Sequence, residues 1–129
     1  MPVKFYIDPD HDDIFRWEFA GKWTADEYFA LDHIAGEKVR EMAPRLTYSI
    51  VDLRQSAPPP GNVFAGLAVT ERNGPDNWVM TVLVVKQGIW LRLLKLALRA
   101  NIRLQRRYVI AFSVDEAYRI IAGARRKIV

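Results

Sequence analysis

The 129-residue chain has no cysteine. That excludes disulfide scaffolds, thiolate zinc sites, iron–sulfur clusters and cysteine nucleophiles, and it is compatible with a reducing compartment. No apolar run approaches the ~18 residues of a transmembrane helix, and the opening MPVKFYIDPDHDD lacks the apolar core of a signal peptide. A cytoplasmic location, at most peripheral to a membrane, is therefore expected. Histidine is scarce, and His11 and His33 form neither H-x-x-x-H nor H-E-x-x-H, so no metal site is expected. G-x-S-x-G, the phosphate loop G-x-x-x-x-G-K-[ST] and the dinucleotide fingerprint are also missing. The expectation is a non-enzyme, with no catalytic residue and no cofactor.

Half of the residues are hydrophobic and 12% are aromatic, enough for one domain of this length to bury a core. The charge is unevenly spread. Residues 1–64 carry seven basic against eleven acidic side chains, and residues 65–129 carry twelve against four. Such a dipolar chain suits orientation against an acidic protein, an anionic membrane or nucleic acid.

Two β-rich runs, Val3 to Ile7 and Ile14 to Ala20, flank the acidic stretch Asp8-Pro9-Asp10-His11-Asp12-Asp13 and predict a hairpin. Thr24-Ala25-Asp26-Glu27 has capping-box spacing, and Tyr28, Leu31, Ala35, Val39 and Met42 share one face of the helix that follows, with His33 on the polar side. Leu46 to Leu53 predicts a third strand, and Asn62 caps a second helix that stops near Asn73-Gly74-Pro75. Trp78 to Val85 is a β-branched apolar run covered on both faces and placed centrally. A third helix is predicted over Gly88 to Ile102, a strand over Arg107 to Phe112, and a last helix after a second capping-box pattern, Ser113 to Glu116. The expected fold is a single α/β domain over residues 1–129. It has a mixed, mostly parallel sheet, an antiparallel N-terminal hairpin strand and the order β-β-α-β-α-β-α-β-α.

That order, with VDLR (Val51 to Arg54) ending the third strand, WVMTVLVV (Trp78 to Val85) before a helix and YVIAFSVDEAYRII (Tyr108 to Ile121) near the end, resembles the STAS domain. It is most similar to the divergent SpoIIAA-like branch, which is grouped with the CRAL-TRIO lipid-carrier domains. The resemblance implies a non-catalytic binding or regulatory module, switched in well-known members by phosphorylation of a serine in D-S-x-G. Here the corresponding stretch is Pro60-Gly61-Asn62-Val63, so no phosphoserine switch is expected. Ser56 lies nearby in a proline loop, where Ser56→Asp is expected to leave stability nearly unchanged.

Two candidate sites follow. The loop carrying Asp52, Arg54, Ser56, Gly61 and Asn62 leaves a strand and opens a helix, where backbone N–H groups and Arg54 would meet a ligand or protein partner. The stretch Lys86 to Arg107 has seven basic residues and no acidic one, and Arg92, Lys95, Arg99 and Arg103 fall within roughly 80° on an ideal helix. Trp and Leu on the opposite arc give 88–103 the build of an interfacial helix for lipid or an anionic membrane surface. The acidic turn departs from an EF-hand loop, with Asp13 and Phe19 where glycine and glutamate belong, and is expected to be an exposed, mutually repulsive turn. Nucleic acid is not expected as a partner, since no reading motif is present. The primary expectation is a protein-interaction module, the alternative a lipid or membrane binder, with weak homodimerisation through an edge strand or helix.

Overall fold

The computed structural model describes residues 2–61 and 63–128. Strands β1 (Val3–Ile7) and β2 (Ile14–Gly21) pair antiparallel, with Phe5 opposite Trp17 and Tyr6 opposite Arg16. Helix α1 (Ala25–Glu41) opens on the predicted capping box: the Thr24 hydroxyl accepts the Glu27 N–H and the Glu27 carboxylate accepts the Thr24 N–H, both at 3.1 Å. Strand β3 (Thr47–Ser56), helix α2 (Val63–Arg72), strand β4 (Trp78–Val84) and helix α3 (Ile89–Ala100) follow. Asn62, predicted to cap α2, lies outside the described residues.

The third helix is not continuous. At Asn101 the backbone turns extended, and its side chain accepts the N–H groups of Arg103 and Leu104, starting the short helix α4 (Ile102–Arg107). An asparagine side chain competes for backbone N–H groups and favours a cap over a helix interior. The order is therefore β-β-α-β-α-β-α-α-β-α, closing with β5 (Tyr108–Ala111) and α5 (Val114–Ile128). At the start of α5 the Ser113 hydroxyl accepts the Glu116 N–H, while the Glu116 carboxylate reaches one residue further back, to the Phe112 N–H.

The chain is α/β with one mixed sheet, antiparallel only between β1 and β2, and its strands lie in sequential order β1-β2-β3-β4-β5. β4 is thus interior but one place from the edge, and β3 is the middle strand. Each crossover steps one strand the same way, and residues of α1, α2, α3 and α4 share one core cluster on the same side of the sheet. Phe15, Trp17, Leu53 and Leu83 form a core with Ala35 and Val39 of α1, Val63 of α2, Trp90 and Leu94 of α3 and Leu104 of α4. The opposite face presents Ile14, Tyr48, Ile50, Val82 and Val84 to Ala117 and Ile121 of α5. The helix α5 packs on β3, β4 and β5.

Candidate functional site

Between the sheet and helices α1 and α2 lies a cavity of about 440 Å³. Its floor follows from strand alternation: Phe15, Trp17 and Phe19 of β2, Ser49, Val51 and Leu53 of β3, and Thr81 and Leu83 of β4 all point to this side. Its walls come from helical spacing, with Tyr28, Asp32, Ala35 and Val39 of α1 facing Phe64 and Leu67 of α2. All four tryptophans of the chain, Trp17, Trp23, Trp78 and Trp90, line it. The exposed His33, Arg40 and Asn73 stand at the rim, where the Arg40 guanidinium donates to the Asn73 carbonyl at 2.8 Å and ties α1 to the end of α2.

Two close approaches shape the cavity. A Cβ on Gly66 would lie 2.0 Å from the Phe29 ring, so only glycine lets that ring rest on α2. At the other end Trp23 and Trp90 stack with centroids 6.3 Å apart and planes within 10°. The Trp23 indole N–H donates to Ser56 Oγ at 2.7 Å, the Trp90 indole N–H to the Ala57 carbonyl at 3.0 Å, and Ser56 Oγ donates to the same carbonyl at 2.8 Å. Ser56 is therefore a clasp between the proline loop and two cavity tryptophans, not a free loop hydroxyl, and an aspartate there would disturb that packing.

Asp32 is the one carboxylate among the residues that line the cavity, with the Arg40 guanidinium at its rim. Burial pushes its carboxyl up to about 6, against weaker opposing pulls from His33 and Arg40. Burial likewise raises the Tyr28 and Tyr108 hydroxyls, with the nearby Asp32 adding to both. Among the described residues Asp32 has no hydrogen-bond or ion-pair partner. The signal was present in the sequence: Tyr28, Asp32, Ala35 and Val39 step by four, three and four, which puts the carboxylate on the buried stripe.

The loop residues singled out from the sequence point elsewhere. The Arg54 guanidinium is bidentate on Asp52, Nε at 2.9 Å and Nη2 at 2.8 Å, and the Arg54 N–H adds a third bond at 3.1 Å. Burial alone would raise the Asp52 carboxyl, but these bonds outweigh it and hold it below the usual carboxylate range. Arg54 is thereby occupied within the fold. Gly61 is exposed in a turn, and Asn62 lies outside the described residues. Sequential strand order has no reversal, so the sheet lacks the switch-point crevice at which open α/β folds gather ligands.

The basic stripe is divided by the Asn101 break. Arg92, Lys95 and Arg99 are exposed on α3, and Arg103 is exposed on α4. Leu96 and Ile102, 62% and 66% exposed, stand among them. The acidic turn is only partly exposed, and arginines brought in by the fold pair with three of its four carboxylates. Asp8, its side chain fully buried, accepts from Tyr118 Oη at 2.5 Å and pairs with Arg16 at 3.3 Å; Asp12 pairs with Arg45; Asp13 receives Arg125 at 2.5 and 3.1 Å. Among the described residues no three metal-ligating side chains converge, and no helix is long and apolar enough to cross a membrane.

Compared with protein-family models, curated proteins and solved structures, the chain finds no match.

Proposed function

We propose that the chain is a non-catalytic binding module of STAS-like fold, cytoplasmic, that holds an apolar molecule in the cavity between its sheet and helices α1 and α2. The observation that carries this is the cavity's volume and lining. Ligand sites occupy roughly 300 to 1,000 Å³ and are mostly apolar with a few polar groups, and 440 Å³ walled by four tryptophans and one carboxylate fits that description. The pocket is half open to solvent, so without an occupant water meets its aromatic walls, and an apolar molecule there removes that surface from water. Octan-1-ol should change the tryptophan emission saturably and raise the midpoint of thermal unfolding with concentration. No saturable change, with an unmoved midpoint, contradicts the reading. A protein-partner surface at the proline loop has less support, because Arg54 is paired with Asp52 and Ser56 holds Trp23.

A second reading, docking on an anionic membrane, is favoured by Leu96 and Ile102 standing exposed among Arg92, Lys95, Arg99 and Arg103. Each cation near such a surface contributes up to about 1 kcal/mol. Vesicles containing phosphatidylserine should then bind the protein in a salt-sensitive way, and the double change Arg92→Glu with Arg99→Glu should abolish it. Equal binding to neutral vesicles, or none to either, contradicts this second reading.

A further inference from the structure

The walls of the cavity are aromatic, but its chemistry is not neutral. Asp8, Asp13, Asp52 and Glu71 each face an arginine, whereas among the described residues Asp32 faces none. The nearest cations do not turn to it. Arg40 is engaged with the Asn73 carbonyl, and His33 sits on the exposed side of α1 with Glu37 at 3.8 Å. Arg107 is held by Glu71 and the Trp78 carbonyl. From the other elements the groups near Asp32 are hydroxyls, above all that of Tyr108 in β5, with Tyr28 beside it on α1. A lone carboxylate half-withdrawn from water is costly unless a cation compensates it.

We infer that the molecule held in this cavity is a hydrophobic amine or ammonium, its positive charge on the Asp32 carboxylate and its apolar part against the tryptophan-lined walls. This rests on the proposal that the cavity binds a ligand at all. A cation gains twice here, from the carboxylate and from the negative faces of aromatic rings within reach. An alcohol of equal length gains only a hydrogen bond from a neutral donor, without the charge or the cation–π attraction, and a carboxylate is repelled.

The test is a tryptophan-fluorescence titration at about pH 8 with octylammonium, octan-1-ol and octanoate. At that pH the amine is charged, as a lysine would be, and Asp32, at about 6, is ionised. The expected result is octylammonium tighter than octanol by about tenfold or more, octanoate weakest, and the difference lost in Asp32→Asn. Octanol binding as tightly as octylammonium, octanoate binding best, or a preference that survives Asp32→Asn would overturn the inference while leaving an apolar-ligand cavity in place. Absence of a saturable response to all three would overturn both. If Asp32→Asn fails to fold, Asp32→Ser replaces it, and the wild-type ranking decides alone if neither folds.

Discussion

Replacing Asp32 with asparagine keeps the shape of the side chain and removes its titration, so it isolates what the buried charge costs. The folded protein holds this proton up to about 6, while the unfolded chain releases it near 3.8. Between those values the native state binds more protons than the unfolded state, so stability falls as pH rises. The penalty is small below about pH 4, grows to about pH 6, and is constant above. Raising a carboxyl from 3.8 to about 6 corresponds to about 3 kcal/mol at full ionisation, an upper figure because the asparagine amide must also be desolvated. Asp32→Asn should therefore be more stable than wild type by about 1 to 3 kcal/mol at pH 7.5 and by much less at pH 4. Urea unfolding at the two pH values, followed by far-UV circular dichroism, measures both differences. A variant equally stable or less stable at pH 7.5, or a difference that does not change with pH, would refute the reasoning and put Asp32 in water.

Gly66→Ala should lower stability by about 1 kcal/mol or more despite the better helix propensity of alanine, because its methyl meets the Phe29 ring. In a Phe29→Ala background the same change should turn stabilising, by about 0.5 to 1 kcal/mol, and a double-mutant cycle in urea reads the reversal. Asp8→Asn should cost about 3 kcal/mol at neutral pH, since it strands Arg16, whose side chain is only 13% exposed. Burial opposes ionisation of Asp8, but the bonds from Tyr118, the Asp10 N–H and Arg16 prevail and hold its carboxyl below the ordinary value. The stability it confers is present above about pH 4 and lost as pH falls through the folded value, so the deficit of Asp8→Asn should shrink in acid-unfolding curves.

What the sequence revealed was what is local. The Thr24 to Glu27 box, the alternation in Phe15-Arg16-Trp17-Glu18-Phe19 and the stop at Asn73-Gly74-Pro75 each act within a few residues, and the elements formed there. The predicted end of the third helix at Ile102 lies close to the observed Ala100, but the short helix α4 is not legible, because the side-chain cap that starts it depends on the single residue Asn101. The pairing of Asp8 with Tyr118 and of Asp13 with Arg125 spans more than a hundred residues, so a turn that looks repulsive in sequence receives a hydroxyl and an arginine from α5. Arg54 looked free for the complementary reason, that its partner is two residues away on the same side of an extended strand. The cavity was invisible, since it depends on contacts between elements distant in the chain, among them the Phe29 ring against Gly66 and the stacking of Trp23 on Trp90. Asp32 is the exception, since the helical spacing alone puts it on the buried stripe of α1.

The most direct test of the central claim is chemical-shift mapping of the isotope-labelled protein during titration with octan-1-ol. The cavity account predicts saturable shifts at the methyl groups of Ala35, Val51, Leu67 and Leu83, with Val84, Ala117 and Ile121 on the α5 face unmoved. Shifts confined to Leu96 and Ile102 on the outer face of α3 and α4, or no saturable shift anywhere, would contradict it.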